Sequence, residues 1–156
     1  MKQVRGFTLI EMLVVLLIMG ILASAALPLV QMDKRRAKEA ELHAALRTLR
    51  GAIDAYKRAW DDGHIERQPG DSGYPSTLQA LVDGVVDVKD PKGRRLYFLR
   101  RVPRDPFAAG QFDAAQTWAL RSYDSPPGAP APGRDVYDVM SMAAGVGLDG
   151  VPYREW

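Results

Sequence analysis

Glu11 is the residue whose chemistry most needs explaining, because it lies at the head of a long apolar run. From Met12 to Met32 the chain has no ionisable side chain. This span of about 21 residues would form roughly 30 Å of helix, which is the thickness of a bilayer's hydrocarbon core. A carboxylate there costs on the order of 2.5–3.5 kcal/mol, so it is usually kept for a function. The chemistry open to Glu11 is ion pairing, and the nearest candidate cation is the amine that a cut after Gly6 would create.

The segment RGFTLIE, residues 5–11, resembles the cleavage and methylation signal of type IV pilins and type II secretion pseudopilins. The resemblance implies that a prepilin peptidase cuts between Gly6 and Phe7 and methylates the new amine of Phe7. It also implies that Glu11 pairs with the terminal amine of a neighbouring subunit in a filament. Pro28 fits too, because these helices often carry a proline near that depth. We expect Pro28 to bend the helix or melt it locally.

An ordinary secretory signal peptide is the alternative interpretation of the same segment. It would have a basic start, an apolar stretch from Met12 to Leu22, and a small-residue cleavage site at Ala23-Ser24-Ala25. Two features argue against it. An acid at Glu11 suits a disposable apolar segment poorly, and the helical pattern continues beyond Ala25.

Length and composition leave room for one globular domain beyond the apolar segment. The chain has 156 residues, a formal net charge of +2 and no cysteine, so a disulfide scaffold is excluded. Lys2 and Arg5 precede the apolar run and favour a cytoplasmic N-terminus with an exported C-terminal domain. Together with these charges, the resemblance implies a leader over residues 1–6, a single-pass inner-membrane and filament-core helix over 7–30, and a periplasmic domain over 31–156.

The helix is predicted to continue through residues 31–61 with a different character. Apolar residues recur there at three-and-four spacing and form one stripe, the pattern of a helix that packs on a domain. The stripe comprises Leu42, Ala45, Leu46, Leu49, Ile53, Tyr56 and Trp60. Glu39 and His43 are placed on the solvent face. Gly63 is predicted to end the helix in a left-handed conformation.

The remaining segments predict a small antiparallel sheet beside the helix. A loop and a short helix occupy residues 62–84, with Ser76 and Gln79 as its capping box and Gly84 as its end. Strands are predicted over 117–123 and 135–141, with a third near 96–99 or 151–153, inside a sheet region spanning 94–156. The fold class is α+β and pilin-like. Residues 74–82 and 99–107 also resemble the major type II secretion pseudopilin.

Motifs for catalysis are missing from the sequence. The two histidines, His43 and His64, have no metal-ligand spacing, and neither a nucleophile elbow nor a phosphate-binding loop occurs. We therefore expect no enzymatic activity.

A calcium loop near the C-terminus is a further implication of the pseudopilin resemblance. The candidate ligands here are Asp138, Asp149 and Glu155, with Trp156 at the corresponding terminal position. Calcium requires six to eight oxygens and more than one carboxylate. Arg154 places a positive charge where the cation should lie, so an ordinary surface loop remains the alternative.

Five arginines interleaved with Tyr97 and Phe98 could form a nucleic-acid patch. They are Arg94, Arg95, Arg100, Arg101 and Arg104. Asp87, Asp90 and Asp105 flank them, and such mixed charge is typical of solvated surface. Nucleic-acid binding is therefore not expected.

The resemblance thus implies a structural subunit of the type II secretion pseudopilus, a periplasmic filament that drives protein export. The implied partners are further copies of the chain, minor pseudopilins, the prepilin peptidase and the inner-membrane assembly platform. The alternative is a pilin-like subunit of a type IV pilus or competence system, a class in which some minor pilins contact DNA.

Overall fold

The computed structural model describes residues 7–156, except for the side chains of 25–29. Residues 1–6, the predicted leader with Gly6, lie outside this description. The elements in chain order are α1 (Leu9–Asp61), α2 (Ala80–Asp83), β1 (Val85–Val86), β2 (Arg95–Leu96), a 3₁₀ helix (Ala114–Thr117), β3 (Trp118–Arg121), β4 (Asp138–Ser141) and a second 3₁₀ helix (Tyr153–Glu155). The chain divides into two compact units, Met1–Ala37 and Lys38–Trp156.

The first unit contains the start of α1. Among the residues that the structure describes, none of the helices combines the length and apolar character needed to cross a membrane. The span predicted over residues 7–30 includes 25–29, whose side chains are outside the description. The backbone is helical through Pro28, and the bend predicted there stays a prediction.

The second unit is built around the C-terminal part of α1, and its core confirms the predicted stripe. Leu42, Leu46, Leu49 and Ile53 are almost completely buried. The helix ends as predicted: Gly63 has φ +76°, and His64 N donates to Ala59 O at 2.8 Å. This closing bond is the pattern of a left-handed glycine cap.

Glu39 does not lie on the solvent face, so that prediction was wrong. The residue is only 8% exposed. It precedes Leu42 by three positions and Leu46 by seven, which places it on the same buried stripe of the helix. A helical wheel drawn only from apolar residues leaves out this N-terminal extension of the stripe.

The short helix α2 begins at Ala80, later than predicted, and Ser76 does not cap it. Thr77 Oγ1 accepts the hydrogen bond from Ala80 N at 3.2 Å instead. Pro75 O accepts from Val136 N at 2.8 Å, so this stretch is bonded to a distant segment and does not begin the helix. Gly84 ends α2 as predicted, with φ +71°.

The strands form two separate two-stranded antiparallel sheets. β1 pairs with β2, with Val85 opposite Leu96, and β3 pairs with β4, from Trp118 opposite Ser141 to Arg121 opposite Asp138. β3 and β4 confirm the two main predicted strands but are shorter. β2 overlaps the predicted third strand at Leu96, while its partner β1 was not predicted. The α+β class with a long helix and small antiparallel sheets is confirmed.

Candidate functional site

The N-terminal end of α1 positions Glu11 within the first helical turn. Thr8 immediately precedes the helix, and its side-chain Oγ1 accepts a hydrogen bond from Glu11 N at 3.3 Å. Thr8 O accepts from Met12 N at 3.2 Å. Threonine is a favoured N-cap because its hydroxyl satisfies an amide that has no partner within the helix. The cap therefore fixes where the helix begins and places Glu11 four residues after Phe7.

The Glu11 carboxylate has no charged partner among residues 7–156. The side chain is exposed, and within residues 7–156 no ion pair to Glu11 is formed. A carboxylate in the first turn is favoured by the helix dipole, but by about 1 kcal/mol or less at an exposed site. That interaction is smaller than the cost of transferring an unpaired carboxylate into an apolar environment.

The side chains that follow Glu11 give this segment its apolar surroundings. Every large apolar side chain from Leu9 to Leu22 is at least 43% exposed. A helix that is apolar on all faces must be covered by lipid or by other helices. The arrangement can therefore support association and ion pairing, and it contains no group placed for bond-breaking chemistry.

The residues proposed for calcium are each engaged by protein groups. Asp138 Oδ1 accepts from Arg50 Nε and from its neighbour Val139 N, both at 2.8 Å. Asp149 Oδ1 accepts from Val151 N at 3.0 Å. Among the described residues no group of three acidic, histidine or cysteine side chains could hold a metal. The donor set therefore does not fit a calcium ion, which needs several converging oxygens.

Glu155 likewise contributes no oxygen to a common site. Its nearest charged partner is the adjacent Arg154, with Nε 3.8 Å from Oε1. Both side chains are exposed, so this contact is a weak surface ion pair.

Each of the two histidines contacts a side chain of the second unit. The His43 ring stacks on the Trp156 ring, with centroids 3.9 Å apart. His64 Nδ1 lies 2.9 Å from Asp87 Oδ1, and this hydrogen bond lowers the pKa of the Asp87 carboxyl. Neither histidine belongs to a group of three possible metal ligands among the described residues.

Three of the five clustered arginines bind groups of their own domain. Arg94 pairs with Asp90, Arg95 donates to Gly84 O at 2.7 Å, and Arg104 donates to Phe112 O at 2.6 Å. Only Arg100 and Arg101 of this set have no bond recorded within the described residues. Two such guanidinium groups make a poor footprint for a phosphate backbone.

Sequence reasoning missed two charged residues that organise the second unit, Glu39 and Arg50. Both are on or beside the buried stripe of α1, since Glu39 lies three positions before Leu42 and Arg50 four positions after Leu46. A charge on or beside the stripe is the signal that could have found them. Glu39 is buried, and a buried charge must be paired; the Arg50 side chain is 38% exposed.

Comparisons with known proteins match both the N-terminal segment and most of the chain. Residues 1–27 match the family described as the prokaryotic N-terminal methylation motif. The chain is 35% identical over 115 residues to the type II secretion system core protein G of Klebsiella pneumoniae. This match covers 70% of this chain and 73% of that protein. It is 33% identical to core protein G of Escherichia coli K12, covering 66% of each. No solved structure matches.

Proposed function

The chain belongs to the family of the type II secretion system core protein G, the major pseudopilins, and we propose that it is a structural subunit of the pseudopilus. The observation that carries this proposal is the position of Glu11. Its carboxylate lies in the first turn of an exposed apolar helix, and no ion pair to it forms within residues 7–156. A neighbouring copy of the same helix can supply both the apolar cover and the cation.

Processing creates that cation. Before the cut, the nitrogen of Phe7 belongs to a peptide bond and carries no charge. Cleavage between Gly6 and Phe7 by the prepilin peptidase releases an amine, which methylation leaves basic. An α-amino group has a pKa of about 7.7–8.0, so it is mostly protonated at neutral pH. The precursor therefore lacks a cationic partner for the Glu11 carboxylate, whereas mature chains carry both the carboxylate and the amine of the ion pair.

Pairing between Glu11 and the Phe7 amine of a neighbour would set the register of the filament. Apolar helices in a bundle pack about equally well at several axial positions, because neither lipid nor a sister helix offers a hydrophobic preference. One polar contact in dry surroundings removes that ambiguity, as a single polar residue does in coiled coils. Breaking such a pair leaves an uncompensated buried charge, at a cost of about 3–5 kcal/mol.

The subunit is placed in the bacterial inner membrane before assembly. The apolar helix from Phe7 to about Val30 would anchor it, with Lys2 and Arg5 on the cytoplasmic side. The second unit would then lie in the periplasm. The assembly platform of the inner membrane, the minor pseudopilins and further copies of this chain are the proposed partners, and no catalytic role is assigned.

Substitution of Glu11 tests the proposal. Glu11→Gln keeps the size of the side chain but removes its charge, so the variant should be processed and inserted normally yet fail to form filaments or secrete cargo. The readouts are the mature N-terminal mass, membrane fractionation, cross-linked multimers and secreted cargo. Asp33→Asn, at an exposed acid beyond the apolar run, is the matched control. Filaments of Glu11→Gln in wild-type amounts would overturn the register role.

A further inference from the structure

The segment that follows β4, residues 142–156, is held to α1 by two charged side chains of that helix, Glu39 and Arg50. We call this segment the C-terminal arm. It contains one isolated bridge, between Val146 and Pro152, and the short 3₁₀ helix Tyr153–Glu155. So little regular backbone pairing cannot by itself fix a stretch of this length, and its position depends on side-chain contacts.

Glu39 binds the middle of the arm from a buried position. Its Oε1 accepts hydrogen bonds from Leu148 N at 3.1 Å and from Tyr153 Oη at 2.7 Å. Hydrogen bonds to an ionised acceptor are roughly twice as strong as those between neutral groups. The carboxylate therefore joins two points of the arm to the core helix.

Arg50 joins the last residue of the arm to strand β4 with one guanidinium. Nε donates to Asp138 Oδ1 at 2.8 Å, and Nη2 donates to Val139 O at 3.1 Å and to Trp156 O at 2.7 Å. One carboxylate oxygen and two main-chain oxygens thus converge on a single cationic group. These are the oxygen types that a calcium ion takes in proteins.

We propose that Arg50 supplies the positive charge that gathers these oxygens, and that with Glu39 it fixes the C-terminal arm without any metal ion. The planar guanidinium can donate several bonds in fixed directions and stays charged at all physiological pH values. A divalent cation at the same oxygens would be repelled by it. The folding of the domain is therefore independent of calcium.

Calcium titration of the full-length chain in detergent micelles is the direct test. The thermal midpoint, followed by tryptophan fluorescence, should be the same in millimolar calcium chloride and in excess EDTA, and calorimetric titration with calcium alone should give no binding heat. A rise of the midpoint with calcium, or a saturable binding isotherm, would overturn the proposal.

Substitution of Arg50 tests the stated cause. In Arg50→Gln, amide hydrogens of residues 142–156 should exchange about tenfold faster than in the wild type, in line with losing charge-assisted bonds. Arg47→Gln, at an exposed arginine of the same helix, should leave these rates unchanged. Unchanged exchange in Arg50→Gln would contradict the assignment. If that variant does not fold, Arg50→Lys keeps the charge without the three-way geometry, and it should show the same loss confined to the arm.

A secretion assay extends the inference to assembly, and this experiment rests on the proposed function. Export should persist in calcium-depleted medium when the exported cargo itself needs no calcium. Loss of export there, together with a calcium-independent melting midpoint, would count against the proposed function and leave the folding inference intact.

Discussion

The imidazole of His43 lies flat against the indole of Trp156, with ring centroids 3.9 Å apart and an angle of 6° between the planes. The indole also meets the Tyr153 ring edge-on at 5.0 Å. A Cβ on Gly147 would overlap the indole, so this glycine is needed for the close approach. The end of the C-terminal arm is thus packed between a helix residue and its own turn.

Replacement of His43 should weaken this packing. Stacked aromatic pairs contribute about 0.5–1.5 kcal/mol beyond their buried area, so His43→Ala should lower the free energy of unfolding by about 1 kcal/mol. Urea unfolding of the full chain in detergent, followed by tryptophan fluorescence, measures this. His43→Phe retains a flat ring and should keep most of the stability. Equal stability of His43→Ala and the wild type would show that the stack contributes nothing.

The buried Asp135 predicts a dependence of stability on acid pH. Burial raises the pKa of this carboxyl, but its hydrogen bonds outweigh burial and hold the pKa below its usual value. Among them, Oδ1 accepts from Ser122 Oγ at 2.9 Å and from Tyr123 N at 2.8 Å. A lowered pKa contributes stability above the unfolded value of about 3.9, and this stability is lost as the pH falls through the folded pKa.

Asp135→Asn isolates that contribution, because the amide oxygen can accept the same bonds but cannot be protonated in this range. The free energy of unfolding of the variant should decline less steeply than that of the wild type below pH of about 4. Urea titrations at a series of pH values provide the comparison. Asp124→Asn, at an exposed acid, should retain the wild-type slope. Parallel slopes for Asp135→Asn and the wild type would refute the assignment.

Gly6→Val should block processing at the predicted cleavage point. A branched side chain at the residue before the cut leaves the precursor with residues 1–6 attached and the nitrogen of Phe7 uncharged. Intact-mass measurement should find only the longer, unmethylated chain, and filaments should be missing. Gly20→Ala is the control, since a Cβ at Gly20 meets nothing within 4 Å. Normal cleavage of Gly6→Val would move the processing site elsewhere.

The helical part of the fold could be predicted because its determinants are local. The stripe from Leu42 to Ile53 follows from helical periodicity, and the end of α1 follows from the conformational freedom of Gly63. The start of α2 could not be predicted in this way, because Pro75 bonds to Val136, about 60 residues further along the chain. The capping preference of Ser76 is overridden by the long-range hydrogen bond between Val136 and Pro75, which exists only in the folded chain.

The residues of the candidate site also differ in whether their roles depend on local sequence or on long-range contacts. The roles proposed for Gly6, Phe7 and Glu11 come from spacing within one short segment, and they stay predictions. The contacts of Glu39 and Arg50 could not be named from the sequence, since their partners Tyr153 and Trp156 are more than 100 residues away. A charge on the apolar stripe could have marked Glu39 as unusual, but only the folded structure identifies the groups that the two side chains bind.

Mass spectrometry of the mature N-terminus, on protein purified from its native host, tests the central claim most directly. The account predicts a chain that begins at Phe7 and carries one methyl group on its α-amine. This amine is the cation proposed to form an ion pair with Glu11 of the neighbouring subunit. A chain that begins near Ala26 would contradict it, because the segment with Glu11 would then be absent from the mature protein.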